Sequence, residues 1–363
     1  MVHVAEEMQR LNMKTPLLIG GATTSKAHTA TKIEPAYDNS ATIYVTDASR
    51  AVNVAASLLG GQETYQKYTK YISEEYETVR NRVEARRSKQ QFLKLADARA
   101  NGHPINWEAY KPPIPASLGV TEYSMSVRDL VPFIDWSPFF MTWELAGKYP
   151  NILDDEIVGE AARDLFKDAQ TLLNKISDAN LLKPRGVFGF WACNRKGFDD
   201  VDVYSDNFRT KKIMTLHHLR QQTPKSNDAE PNYCLADFTA PLGHEDYIGG
   251  FAVTSGNEVQ DLLNDYEDDY SKIMIQALAD RLAEAFAEAM HKHVRTEAWG
   301  YASEEQLGHE ELIKEKYIGI RPAPGYPACP EHSEKESLFE LLGVTEKIGI
   351  TLTENYAMSP AAS

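Results

Sequence analysis

The chain has 363 residues, 42% of them hydrophobic and 25% charged, which is ordinary for a globular protein with two or three domains. A formal net charge of −15 repels phosphate backbones, so nucleic acid is not an expected partner. No apolar run reaches the length of a membrane span, so no membrane partner is expected either. Cys193, Cys234 and Cys329 form no C-x-x-C pair, which argues against a disulfide framework and predicts a cytoplasmic location.

The N-terminal region alternates between helix and strand patterns. The runs "TPLLIGG" and "ATIYVTDAS" predict two short buried strands, with helices before, between and after them. Such alternation favours parallel pairing. Two strands cannot complete a parallel sheet, because parallel sheets need more strands and helices on both faces. Residues 1–64 therefore predict an incomplete α/β domain.

Residues 65–119 predict a helix followed by a linker. An apolar stripe with spacings of three and four residues indicates a long helix, and its members are Tyr65, Tyr68, Ile72, Tyr76, Val79 and Val83. The stretch "NGHPINWEAYKPPIPASLG" then interrupts regular structure with prolines and glycines.

Residues 120–363 predict a mixed α+β domain. Strand-like runs such as "GVFGFWAC" and "IGGFAVTS" alternate irregularly with helices. The clearest helix lies within Tyr266–Arg295. Its predicted buried face comprises Met274, Leu278, Leu282, Phe286 and Ala289, and a second face carries Asp280, Glu284 and Glu288 at i, i+4 spacing.

The stretch "RPAPGYPACPEH", from Arg321 to His332, is too rich in proline for a helix or a central strand and predicts a rigid loop. Cys329 and His332 have a spacing found in zinc sites. No second close pair with a cysteine completes four ligands, so we expect no metal and a packing role for Cys329. Arg321 could hold a ligand carboxylate in a bidentate grip, beside the aromatic face of Tyr326. The alternative is a structural corner in which Arg321 pairs with a protein carboxylate.

Several long motifs, in order, resemble the reactivation region of cobalamin-dependent methionine synthases. Besides "RPAPGYPACPEHSEK", these motifs are "DWSPFFMTWELAGKYP", "LHHLRQQ", "NYCLADF" and "DDYSKIMIQALADRLAEAFAE". The early "PLLIGGATTSKAHTA" is similar to the late part of that family's cobalamin-binding domain. The resemblance implies a flavodoxin-like, Rossmann-like segment over residues 1–64. It implies an α+β activation domain with an antiparallel sheet and helices over residues 120–363.

The resemblance also implies roles for individual residues. Asp135 would bind the α-ammonium of S-adenosylmethionine and Arg321 its carboxylate, while Ala323 and Tyr326 would position the adenosine. The resemblance assigns the remaining candidates to cobalamin: Gly20, Gly21 and Ala48 would flank its nucleotide tail, and Asp280 and Glu284 would face the corrin. For Asp280 and Glu284 the alternative is a solvated helix face.

The sequence departs from this family in its cobalt ligand. None of the ten histidines stands in the D-x-H-x-x-G motif that would supply it, and the zinc-binding homocysteine module is absent. The chain is therefore interpreted as a fragment that alone should bind cobalamin weakly and be inactive in the full reaction. The activity implied is that of a methyltransferase, to which this part would contribute reductive remethylation of cob(II)alamin by S-adenosylmethionine. Expected partners are the other methionine synthase modules and a flavodoxin or flavin reductase as electron donor. The alternative is a non-catalytic module that binds S-adenosylmethionine or caps a corrinoid.

Overall fold

A computed structural model describes residues 1–20, 24–45, 48–89, 92–227, 229–360 and 362–363, with the side chains of 48–50, 53, 86–89 and 309 left out. The chain divides into two compact units, Met1–Leu93 and Lys94–Ser363. The division falls inside residues 65–119, so the long helix of that segment belongs to the first unit. Among the described residues, no helix is both long enough and apolar enough to cross a membrane.

The first unit has a small α/β arrangement. Its α-helices and strands are α1 (Val2–Arg10), β1 (Leu17–Gly20), α2 (Lys26–His28), β2 (Thr42–Val45), α3 (Ala48–Leu59) and α4 (Gln62–Lys89). A π-helical turn, Thr29–Ile33, continues α2. Strands β1 and β2 pair in parallel, from Leu17 opposite Thr42 to Gly20 opposite Val45, as the alternating pattern predicts.

Helix α4 is anchored to this unit by its predicted apolar stripe, whose members are all buried or half-buried. Tyr76 is fully buried, and its hydroxyl oxygen accepts a hydrogen bond of 2.7 Å from the backbone N–H of Tyr44 in β2. One turn further on, Arg80 donates to the carbonyl of Ala30 and pairs with Glu34. The stripe and these polar contacts together hold α4 against β2 and the π-helical turn.

The second unit is larger and mixes helices with strands. Its α-helices are α5 (Leu95–Ala100), α6 (Val127–Leu130), α7 (Ser137–Thr142), α8 (Gly159–Asp178), α9 (Val259–Asn264), α10 (Asp269–His293), α11 (His309–Ile313), α12 (Glu334–Leu342) and α13 (Val344–Ile348). Its strands are β3 (Gly119–Ser124), β4 (Arg185–Lys196), β5 (Asp200–Tyr204), β6 (Lys212–His217), β7 (Asp246–Thr254), β8 (Thr351–Leu352) and β9 (Met358–Ser359).

Strand β4 is the centre of a five-stranded antiparallel sheet. It pairs with β7 along one side and with β3 and then β5 along the other, and β5 pairs with β6. Strands β8 and β9 form a separate hairpin pair. This architecture confirms the predicted α+β fold with an antiparallel sheet.

Both faces of β4 are buried, which explains why its sequence is a nearly continuous apolar run. Phe188 and Phe190 belong to the core that includes α10. Val187 and Trp191, which alternate with them, pack in a second core with residues of α12 and α13. Gly186 permits the close approach of α10, because a Cβ atom there would lie 2.6 Å from the Met290 methyl group.

The motifs "LHHLRQQ" and "NYCLADF" meet in a buried ion-pair network. The Arg220 side chain is 1% exposed and binds both oxygens of Asp237, at 2.9 and 2.7 Å. Its Nε donates to Asp199 at 2.8 Å, and its two other hydrogen bonds go to the carbonyls of Phe198 and Asn232. The charge is therefore compensated and its donors are satisfied, which is the condition under which a buried ion pair is tolerated.

Replacing Arg220 with leucine should leave the buried Asp237 carboxylate with only the longer 3.9 Å ion pair to Arg195, at a cost of about 3–5 kcal/mol in unfolding free energy. The control is Arg128→Leu, which breaks a pair with Asp178 whose side chains are 74% and 68% exposed. The control should cost under about 1 kcal/mol, because solvent screens exposed pairs. Urea unfolding of both variants measures the difference, and equal losses would contradict the structural role given to this network.

Candidate functional site

Helix α10 carries the acidic residues predicted on its second face. Asp280 and Glu284 are exposed, and Glu284 pairs with Arg281 at 2.6 Å. Partial desolvation raises the pKa of Asp280, Arg281 opposes this rise, and the Glu284 carboxylate adds to it. The predicted apolar face is confirmed, since Met274, Leu278, Leu282, Phe286 and Ala289 are all buried.

The proline-rich loop forms two successive turns. The backbone N–H of Tyr326 donates to Ala323 at 3.2 Å, and that of Cys329 donates to Tyr326 at 2.9 Å. Gly325 donates to the carbonyl of Cys329 at 2.7 Å and has a φ of +102°, in the region that favours glycine. A Cβ at Gly325 would also collide with the imidazole of His332. The loop is therefore more compact than the extended form that its prolines suggest.

Arg321, at the start of this loop, is bound to α10. Its Nη1 donates to the carbonyl oxygen of Ala287 at 3.2 Å, and its Nη2 pairs with the Glu288 carboxylate. The side chain of Arg321 is 24% exposed and that of Glu288 is 15% exposed. The structural alternative for Arg321, pairing with a protein carboxylate, is therefore observed. It leaves part of the guanidinium open to solvent.

Asp135 lies beside the same helix. It stands between the 3-10 helix Val131–Phe133 and α7, both of which contact α10, and its neighbours Ile134 and Trp136 are buried in the core shared with that helix. Its Oδ1 accepts a hydrogen bond of 3.0 Å from the backbone N–H of Ser137, which fixes the carboxylate. The elements on either side of Asp135 thus contact the same helix as Arg321, although the two segments are distant in sequence.

The last turn of α10 and the π-helical turn Val294–Ala298 that follows it carry a buried polar cluster that sequence reasoning missed. Arg295 is fully buried and pairs with both oxygens of Glu305, at 2.8 and 2.6 Å. The Arg295 guanidinium also lies 4.4 Å from the ring centroid of Tyr317. His291 meets the same ring edge-on at 4.7 Å. The i, i+4 spacing of the two basic residues was visible in the sequence, but their acidic and aromatic partners come from later segments.

His291 is neutral in this setting. Burial lowers its pKa to about 3, and the positive charges of Arg295 and Arg321 contribute to this shift. Its Nδ1 is buried without a hydrogen-bond partner among the described residues. A third positive charge beside two guanidinium groups is therefore avoided at neutral pH.

Three of the remaining candidates belong to the N-terminal region, namely Gly20, Gly21 and Ala48. Gly20 ends β1, and a Cβ there would lie 3.2 Å from the carbonyl oxygen of Val45. Gly21 lies outside the described residues, as do Thr46 and Asp47. Ala48 begins α3, and its side chain is not described.

Among the candidate residues that follow Arg321 in the proline-rich loop, Ala323 and Tyr326 are exposed and Cys329 is buried. Ala323 is exposed and Tyr326 is 67% exposed, so both are accessible for a contact with adenosine. Cys329 is buried, and burial raises the pKa of its thiol. No group of three or more histidine, cysteine or acidic residues arranged to hold a metal occurs in the described parts of the chain.

Comparison with known proteins assigns the family. The model described as the vitamin B12-dependent methionine synthase activation domain matches residues 126–363. Because this match covers more than half of the chain, the chain belongs to that family. A solved structure described as the MetH reactivation domain bound to AdoHcy has a TM-score of 0.72 and 54% sequence identity. That alignment covers 75% of this chain and 84% of that chain. The resemblance of the later motifs to the reactivation region is thereby confirmed.

The depressed pKa of His291 predicts acid sensitivity. The unfolded chain takes up a proton near the ordinary pKa of 6.5, whereas the folded chain does so only near 3. Between these values the unfolded state binds more protons, so the unfolding free energy falls as the pH drops. His291→Gln cannot titrate, and it should lose about 1–2 kcal/mol less than the wild type between about pH 7.5 and about pH 5.

Urea unfolding at both pH values measures this difference. His3→Gln is the control, because the His3 side chain is 83% exposed. The same loss of stability in the wild type and in His291→Gln would show that His291 does not resist protonation in the folded state.

Proposed function

We propose that the second unit binds S-adenosylmethionine between Asp135 and the loop that begins at Arg321, and that it supports reductive remethylation of the cobalamin of methionine synthase. The observation that carries the proposal is that α10 contacts both the elements flanking Asp135 and the Arg321 side chain. Further support comes from the relative with 54% identity, whose structure is described as bound to AdoHcy.

The charges of the ligand's amino-acid part suit these residues. An α-ammonium needs an anionic acceptor, and the Asp135 carboxylate is fixed by one of its oxygens to the backbone of Ser137. An α-carboxylate suits the planar fork of an arginine, and Arg321 keeps part of its guanidinium exposed. Because Asp135 and Arg321 are each already hydrogen-bonded within the protein, little side-chain order remains to be gained on binding.

The loop after Arg321 would hold the adenosine. Its two turns direct backbone N–H and C=O groups in fixed directions, and the exposed ring of Tyr326 offers a stacking surface. S-adenosylmethionine supplies a methyl group on a cationic sulfonium. The contribution of the protein is to orient that methyl group and to exclude water, rather than acid–base chemistry.

The acidic residues Asp280 and Glu284 are proposed to face the corrin when the modules meet. Both are exposed on α10, the helix to which the Arg321 loop is bound. The glycine at the end of β1, Gly20, is proposed to flank the cobalamin nucleotide tail, on the family resemblance alone. The electron donor is proposed to be a flavodoxin or a flavin reductase, on the family resemblance alone.

Activity is tested by mixing the full chain with a separate methionine synthase cobalamin domain, S-adenosylmethionine labelled in its methyl group, and a reductant. Transfer of the label to cobalamin supports the proposal. Binding of S-adenosylmethionine without transfer would instead support a non-catalytic capping module.

Binding of the amino-acid part is tested by three variants. Arg321→Ala should weaken affinity about tenfold to hundredfold, because it removes a charge-assisted contact worth roughly 1.5–3 kcal/mol. Arg321→Lys should recover little of this loss, since an ammonium cannot match the fork. Asp135→Asn should weaken binding and leave the fold intact. Calorimetric titration with S-adenosylmethionine measures all three, and wild-type affinity in every variant would refute the site assignment.

The loop geometry is tested by Gly325→Ala. This change introduces both an unfavourable φ and a collision with His332, and should weaken S-adenosylmethionine binding roughly tenfold. Gly243→Ala is a matched control, because Gly243 has a φ of +101° and nothing within 4 Å of an added Cβ. Equal affinities in the two variants would indicate that the turn at Gly325 does not shape the site.

A further inference from the structure

The Arg321 site contains an acidic residue, Glu288, to which the proposed ligand contacts give no role. We propose that Glu288 is a positioning residue, which holds the Arg321 guanidinium in the orientation that binds the carboxylate of S-adenosylmethionine. This inference rests on the proposed function and assigns a task to the ion pair observed between Arg321 and Glu288.

Arg321 has more hydrogen-bond donors than its two contacts on α10 use. A guanidinium has five N–H donors arranged in one plane. Two of its nitrogens are engaged on the helix side, Nη1 with the Ala287 carbonyl and Nη2 with Oε1 of Glu288. Each contact uses one hydrogen, so Nε and the second hydrogens of the terminal nitrogens remain for a ligand. Glu288 thus fixes the plane of the guanidinium without occupying the whole fork.

Glu288 lies in a segment of α10 whose neighbouring side chains are buried. Phe286, Ala287, Ala289 and Met290, which surround Glu288 in sequence, are all buried in α10. The Ala287 carbonyl lies inside the helix, where its second lone pair remains available to Arg321. An arginine that is already fixed loses less rotamer freedom when a ligand binds than a free one does.

The two oxygens of the Glu288 carboxylate have different environments. Its Oε2 is buried and has no hydrogen-bond partner in the described parts of the chain. A carboxylate placed there for stability alone would be expected to satisfy both oxygens. Oε1, the oxygen that has a partner, is the one bound to Arg321. Glu288 therefore provides the orientation of the Arg321 guanidinium.

Two substitutions distinguish the effect of the length of the Glu288 side chain from the effect of its negative charge. Glu288→Gln keeps the acceptor oxygen at the same distance from the backbone but removes the negative charge. Glu288→Asp keeps the charge but shortens the side chain by one methylene, which draws the acceptor back from the Arg321 guanidinium. If geometry is what Glu288 supplies, glutamine retains function and aspartate does not.

The experiment compares S-adenosylmethionine with its decarboxylated analogue by calorimetric titration of the full chain. The wild type should prefer the carboxylated ligand. In Glu288→Asp and Glu288→Ala this preference should fall about tenfold, with the affinity for the decarboxylated analogue unchanged. Glu288→Gln should keep the wild-type preference. Glu7→Gln is the matched control, because it removes the negative charge from an exposed pair with Arg10 in the first unit.

The outcomes distinguish this inference from the proposed function. An unchanged preference in Glu288→Asp and Glu288→Ala, with loss of preference in Arg321→Ala, overturns the role of Glu288 alone. Retention by aspartate with loss in glutamine also overturns it, because charge and not reach would then matter. Absence of binding or of preference in the wild type overturns the proposed function and this inference together. Thermal unfolding verifies folding, and the aspartate and glutamine variants decide the question if the alanine variant does not fold.

Discussion

The burial of α10 against the central sheet is the interaction on which the second unit depends. The apolar face of this helix packs on β4 and β7, with Gly186 allowing the close approach. The segment around Asp135 and the start of the proline-rich loop both contact α10, at α7 and at Ala287 respectively. A helix fixed by its core contacts therefore sets the relative positions of groups that the chain itself places far apart. The geometry of the site thus depends on the packing of the core.

Much of this fold follows from local pattern in the sequence. The period of α10 and the apolar stripe of α4 each predict a helix, and each predicted face is the one that the structure buries. The nearly continuous apolar run of β4 predicts a strand, though not that it would be covered by α10 on one face and by α12 and α13 on the other. That arrangement depends on pairings between distant segments, which periodicity does not encode.

The candidate site was less accessible to such reasoning. Residue chemistry indicates that Arg321 binds a carboxylate, but it does not choose between a ligand and a protein group. The structure supplies Glu288 as a protein partner and also leaves donors of the guanidinium exposed. The two roles are compatible because the guanidinium has more donors than one monodentate carboxylate uses. A site residue can thus be paired within the protein and still be available to bind.

Family-like motifs in this chain have two different physical origins. The motif "RPAPGYPACPEH" forms an exposed turn beside α10, with side chains that a ligand can reach. The motifs around Arg220 and Asp237 instead close a buried network whose donors are satisfied internally. Removing the Arg220 charge from this network leaves the Asp237 carboxylate in the core without its closest ion-pair partner, so the constraint on these residues comes from folding. Resemblance in a motif therefore identifies the family, and only the burial and the partners of each residue indicate whether it is available to a ligand.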